Sequence, residues 1–332
     1  MSKIGVLGAG TWGMALARML SNSGNEVMVW SALPQEVRQY DEQRRHPNLP
    51  GMIIPDEIRF TDSIAEVCSE KDLLLFAVPS VYVRTTAEAA KPYIPAGQII
   101  VDVAKGIEQN TLFTMTEIIE DVIGSGFHLV ALSGPTHAEE VAKDLPTTIV
   151  SAGKDPRTAR TVQDIFMNTC MRVYTNPDIK GVELCGAMKN IIALAAGISS
   201  GLGYGDNAKA AIITRGMAEI TRLGLAMGCQ EQTFSGLAGI GDLIVTATSM
   251  HSRNNRCGML IGQGVPVREA VGKVGMVVEG INALPAAMEL SGAYEVELPI
   301  SEAVNRVVRE GYDPLRMFNE LMERDKKAES YR

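Results

Sequence analysis

Hydrophobic and polar positions follow two regimes along the chain, with the change near residue 180. In the first regime short apolar runs recur between longer mixed stretches, at residues 4–7, 26–30 (EVMVW), 72–78 (DLLLFAV), 99–103 (IIVDV), 129–132, 147–151 and 171–175. Runs of this kind mark strands buried on both faces of a parallel sheet. The stretches between them, including one with Arg84 and Glu88 and one from about Pro156, read as helices. Residues 44–55, with Pro47, Pro50, Gly51 and Pro55, read as a loop. Strands alternating with helices predict a doubly wound α/β sheet, closed at Asn176-Pro177.

From Gly181 the β-branched runs give way to long Ala/Gly/Leu/Met segments. Residues 181–199 read GVELCGAMKNIIALAAGIS, with Leu184, Met188, Ile191, Ile192 and Ala195 at the three–four spacing of a buried helix. The Gly and Ala content predicts close packing on neighbouring helices. A glycine loop follows at 201–207, then a helix through Arg215 and Arg222, the segment 234–248 (FSGLAGIGDLIVTAT), and a helical segment from Val277. The tail beyond Glu323 is charged and is expected to fray. The expected architecture is an α/β N-terminal domain over residues 1–178 and an all-α C-terminal domain over residues 179–332. No repeat or low-complexity segment interrupts either.

Composition narrows the function. A net charge of −8 over 332 residues offers no footprint for nucleic acid. No uninterrupted apolar run approaches the ~18 residues of a membrane span. Cys68, Cys170, Cys185, Cys229 and Cys257 are scattered without CxxC spacing and read as reduced thiols, which predicts a cytoplasmic protein. The four histidines are dispersed and no metal site is expected.

The first run leads into Gly8-Ala9-Gly10-Thr11-Trp12-Gly13 and then an Ala/Leu/Met stretch. Strand, glycine turn and helix in that order suit a dinucleotide pyrophosphate. Gly8 makes the turn, Gly10 admits the phosphates and Gly13 lets helix and strand approach, with free N–H groups at the helix start. This predicts a Rossmann-type domain. A secretory signal, suggested by Lys3 and Ala15-Leu16-Ala17, is disfavoured by the three glycines and the strand that follows. The second strand ends at Ser31-Ala32, neither acidic nor basic, and Arg38, Arg44 and Arg45 lie further on. The choice between NAD and NADP stays open at this point.

Several polar residues then stand out. Lys105 follows the 99–103 strand, at the edge where open α/β sheets bind ligands. Ser133-Gly134-Pro135-Thr136-His137-Ala138 follows another strand and offers backbone N–H groups and a hydroxyl. Lys189 and Asn190 interrupt an apolar helix, where a lysine loses hydration and its pKa falls toward neutrality. Asp242 is alone among apolar and small residues and requires a partner, a lysine or a ligand hydroxyl; helix capping is its other reading. Arg253, flanked by Ser252 and Asn254, presents a planar fork suited to phosphate.

These segments together resemble the bacterial-type NAD(P)-dependent glycerol-3-phosphate dehydrogenases. The resemblance runs through GAGTWGMAL at Gly8, NLPG at Asn48, AKGIE at Ala104, SGPTHAEE at Ser133, CGAMKN at Cys185, GLAGIGDLIVT at Gly236, SRNNRCG at Ser252 and VVEG at Val277. It implies reduction of dihydroxyacetone phosphate to sn-glycerol 3-phosphate for phospholipid synthesis, with NAD(H) or NADP(H), in a protein that by analogy is a homodimer. It further implies Lys189 as the general acid/base. Lys105, Gly134, Thr136, Asp242, Ser252, Arg253 and Asn254 fall on substrate positions. Thr11, Trp12, Lys105, Ala138, Arg253, Val277 and Glu279 fall on cofactor positions. The chain departs from the family at Thr11 (usually serine), Met14 (usually threonine) and His137 (usually phenylalanine). Ala32 stands where relatives favouring NADPH often carry arginine or histidine. A β-hydroxyacid or ketopantoate-type reductase and an inactive nucleotide-binding regulator are the competing readings.

Overall fold

The computed structural model describes residues 1–326, 328 and 329, so part of the charged tail lies outside the described residues. The N-terminal half carries eight strands: β1 (Lys3–Leu7), β2 (Glu26–Trp30), β3 (Arg59–Thr61), β4 (Leu73–Phe76), β5 (Ile99–Asp102), β6 (His128–Ser133), β7 (Thr147–Ala152) and β8 (Met171–Asn176). They form one sheet in the order β3-β2-β1-β4-β5-β6-β7-β8. The chain reverses direction across the sheet between β1 and β4, so a crevice opens at the carboxyl end of β1. All pairs are parallel except β6 with β7. The doubly wound parallel sheet expected from the pattern thus contains one antiparallel step.

The helices between strands are α1 (Thr11–Asn22), α2 (Pro34–Gln43), α3 (Ile64–Cys68), α4 (Val83–Ala90), α5 (Met115–Ile123), α6 (Ala138–Val141) and α7 (Pro156–Met167). They cover the two faces of the sheet, and most apolar strand residues divide between two clusters, with Ala131, Val150 and Ala152 packing instead against Ile179 and Val182 of the second half. Val6, Leu73, Leu75 and Val101 pack with α1, while Leu7, Leu74, Phe76 and Ile100 pack with α4 and α5. That alternation explains why the strands are apolar throughout.

The second half is helical: α8 (Ile179–Gly201), α9 (Asp206–Ala226), α10 (Glu231–Phe234), α11 (Asp242–Thr248), α12 (Arg253–Gly262), α13 (Val267–Val274), α14 (Glu279–Ala293), α15 (Pro299–Glu310) and α16 (Pro314–Met322). Its centre is α8, which is buried from Val182 through Ser199 on every side. Among the described helices it alone is long and apolar enough to cross a membrane, but that window is 100% buried in the protein. The glycines of α8 and α12 bring the two backbones together. A Cβ on Gly197 would stand 2.2 Å from the Asn255 carbonyl oxygen, and one on Gly258 the same distance from that of Leu194.

Candidate active site

One end of the candidate site lies at the β1–α1 turn. Gly8 adopts φ +120°, and a Cβ there would meet the Ala77 backbone at 2.8 Å. At Gly13 a Cβ would stand 2.2 Å from the Gly8 carbonyl oxygen, so α1 can start close to β1 only with glycine. Gly10 caps α1 without a side-chain hydrogen bond and has nothing within 4 Å of its Cβ position. The Thr11 hydroxyl is buried without a partner among the described residues. Open space, unpaired N–H groups and an orphaned hydroxyl fit a bound pyrophosphate. Trp12 and Ala138 pack beside this turn against the sheet cluster. At the end of β2, Ser31 is buried and its hydroxyl donates to Glu36 Oε2 at 2.6 Å. Arg44 is committed to its own loop, donating to the Ile58 carbonyl and to Asp41.

The charged centre lies where α8 and α11 meet the ends of β5 and β6. Lys189, 5% exposed, donates to Asp242 Oδ1 at 2.5 Å and to Thr246 Oγ1 at 2.6 Å. The Thr246 proton is directed to the Asp242 carbonyl, one helical turn back, which leaves its lone pairs for the ammonium. Asp242 is fully buried and shares its second oxygen with Lys105 at 2.7 Å. Lys105 also donates to the Gly134 carbonyl, to which the Thr136 hydroxyl turns as well. One carboxylate therefore holds two ammonium groups. Burial lowers the Lys189 pKa to about 7; the neighbouring Lys105 adds to this and the Asp242 charge opposes it. Glycine at Gly186 leaves room for the Lys105 stem, whose Cγ would be 3.3 Å from a Cβ there.

The third part is the start of α12. Ser252 caps the helix, accepting from the Asn255 N–H. Asn254 donates to Asn190 and accepts from the Gly280 N–H, tying α12 to α8 and α14. The Arg253 guanidinium makes no hydrogen bond among the described residues. Burial lowers its pKa, and the charges of Glu279 and Glu139 oppose that effect. Glu279 accepts from the Ser80 N–H at 3.2 Å and the Ser80 hydroxyl at 2.6 Å, which ties α14 to the sheet just beyond β4. Val277, partly buried, leads into that helix. His137 borders the charged centre, with Nε2 3.4 Å from the Val245 carbonyl and its ring facing His251.

Of the residues singled out in the sequence, Lys105, Gly134, Thr136, Lys189 and Asp242 form one connected group. Ser252, Arg253 and Asn254 form a second at α12, linked to the first through Asn190, while Gly8 to Gly13 lie at the crevice. Sequence reading missed Thr246 and Ser80. Thr246 stands four residues after Asp242 on the same helix face, which was a usable signal. Nothing local marks Ser80 as the partner of a residue 199 positions away.

Comparison with known proteins follows the same division. Residues 3–159 match the family model of the NAD-dependent glycerol-3-phosphate dehydrogenase N-terminus, and residues 178–319 match that of its C-terminus. The chain is 66% identical to glycerol-3-phosphate dehydrogenase (NAD(P)+) 2 of Lactobacillus delbrueckii subsp. bulgaricus, over 99% of both chains. It is 51% identical to the glycerol-3-phosphate dehydrogenase (NAD(P)+) of Agathobacter rectalis, over 99% of this chain and 98% of that one. The crystal structure of the Coxiella burnetii glycerol-3-phosphate dehydrogenase superposes with a TM-score of 0.94 at 34% identity, covering 97% of this chain and 99% of that chain.

Proposed function

The chain belongs to the NAD-dependent glycerol-3-phosphate dehydrogenase family, and on that premise we propose that it interconverts dihydroxyacetone phosphate and sn-glycerol 3-phosphate with Lys189 as general acid and base. The observation that carries this reading is the buried Lys189–Asp242 pair, with the half-buried Lys105 on the second carboxylate oxygen, beside a dinucleotide turn. Reduction of a ketone needs a proton at the developing alkoxide, and a lysine whose pKa is about 7 can give it up near neutral pH. The protonated amine also stabilises negative charge on that oxygen before transfer. A nicotinamide nucleotide on the β1–α1 turn supplies the hydride when bound.

The remaining residues divide the work. Asp242 fixes the Lys189 amine and, through its other oxygen, Lys105. Lys105, Gly134 and Thr136 line the side of the site nearest the sheet and hold substrate. Arg253, which makes no hydrogen bond among the described residues and stands at a helix start, takes the phosphate, with Ser252 and Asn254 shaping that turn. Gly8, Gly10, Thr11, Trp12, Gly13, Ala138, Val277 and Glu279 hold the nucleotide. Residues 1–178 act as the nucleotide domain and residues 179–332 as the catalytic domain. The protein works as a cytoplasmic homodimer that supplies glycerol 3-phosphate to phospholipid synthesis.

A ketopantoate-type reductase would need a site for a carboxylate, and an inactive regulator would have no use for a buried lysine of lowered pKa. Initial rates of NADH and NADPH oxidation with dihydroxyacetone phosphate and with ketopantoate test the assignment. Turnover of the phosphorylated ketone is expected; turnover of ketopantoate alone would overturn it.

A further inference from the structure

The sequence leaves the nucleotide's 2′ position undecided, because Ser31-Ala32 carries no charge. The fold supplies one from elsewhere. The Gly8 N–H donates to the Trp30 carbonyl, so the end of β2 abuts the glycine turn. Ser31 comes next, buried, and its hydroxyl donates to Glu36 Oε2 at 2.6 Å while accepting from the Leu33 N–H. Glu36 lies in the first turn of α2 and folds back over the strand end. His46, 5% exposed, experiences both the Ala9 backbone and the Glu36 charge. Among the cations that could offset it, Arg44 is occupied by Asp41 and by backbone carbonyls.

We propose that Glu36, held at the carboxyl end of β2 by Ser31, selects NADH over NADPH. An acidic group at this corner of a dinucleotide fold accepts hydrogen bonds from the ribose hydroxyls, and the same group repels a 2′-phosphate. Here the acid arrives several residues after the strand, and the serine hydroxyl steers it into place. A 2′-phosphate would have to share the corner with the Glu36 carboxylate that Ser31 holds there. Like charges forced together cost enough to separate the two nucleotides by at least about tenfold in affinity.

This inference rests on the nucleotide reading of the β1–α1 turn, and affinities measured without substrate keep the two apart. Dissociation constants for NADH and NADPH are measured by nucleotide fluorescence on the wild-type protein, Glu36→Gln and Ser31→Ala. Glu36→Gln retains a partner for Ser31 and removes the charge. The wild type should bind NADH at least about tenfold more tightly, a gap that narrows with added salt. Glu36→Gln should close most of it by tightening NADPH, with Ser31→Ala intermediate. Equal affinities in the wild type, or an unchanged ratio in Glu36→Gln, would overturn the role of Glu36. Failure of both nucleotides to bind would overturn the nucleotide reading and this inference with it.

Discussion

Lys189 Nζ lies 2.5 Å from Asp242 Oδ1, inside a helix that is buried along most of its length. The contact explains how the protein keeps an ionisable amine in an apolar core. Asp242 supplies the countercharge, Thr246 the second acceptor, and burial still brings the amine to a pKa of about 7.

That value fixes a pH dependence. In its proposed role as general acid, Lys189 must be protonated for reduction, so kcat for dihydroxyacetone phosphate should fall as pH rises through about 7. Oxidation of glycerol 3-phosphate uses the free amine and should rise through the same range. Parallel pH profiles in both directions, taken at saturating nucleotide, check this; two profiles of the same sign would contradict it.

Arg253 is the proposed phosphate ligand. Arg253→Ala should raise KM for dihydroxyacetone phosphate by roughly 10- to 100-fold, the value of a charge-assisted hydrogen bond. Nucleotide affinity should change far less. Steady-state kinetics with each ligand varied separately distinguish the two effects.

Glu183 gives a prediction about stability. It accepts from Thr114, from the Thr116 N–H and from the Thr116 hydroxyl, and burial raises its pKa from 4.5 to about 7. Between those values the folded protein keeps a proton that the unfolded chain has lost. Stability therefore falls as pH rises through this window, by up to about 1.4 kcal/mol per pH unit from this group. Urea unfolding at the two ends of the window should show a smaller loss for Glu183→Gln than for the wild type. Asp102 shifts in the same direction and remains in both proteins.

Much of this layout is visible in the sequence, because the relevant physics is local. The strand–glycine–helix order, the apolar sheet runs and the buried helix around Lys189 each follow from neighbouring residues. The antiparallel β6–β7 step was hidden, since an apolar run reads the same in either direction. The three-residue strand β3 has too little pattern to register, and α2 is mostly exposed. Asp242 was recognised as needing a partner, but its simultaneous contact with Lys105 spans 137 residues. The Ser31–Glu36 bond is short in sequence, yet only the fold brings it to the nucleotide corner.

Close helix packing positions Lys189, and it depends on absent side chains. A Cβ on Gly197 would stand 2.2 Å from the Asn255 carbonyl oxygen, a backbone atom that cannot move without shifting α12. Gly197→Ala should therefore destabilise the protein by about 1–3 kcal/mol or more, the cost of overpacking. Thermal and urea unfolding measure this. An unchanged midpoint would mean that α8 and α12 can separate freely.

The most direct test of the account is the rate of NADH oxidation with dihydroxyacetone phosphate by the wild type and by Lys189→Met, with nucleotide binding measured on the same samples. The variant should bind NADH normally and lose roughly 10²- to 10⁴-fold in kcat, the usual contribution of a general acid. A folded, nucleotide-binding Lys189→Met protein that turns over at near the wild-type rate would contradict it.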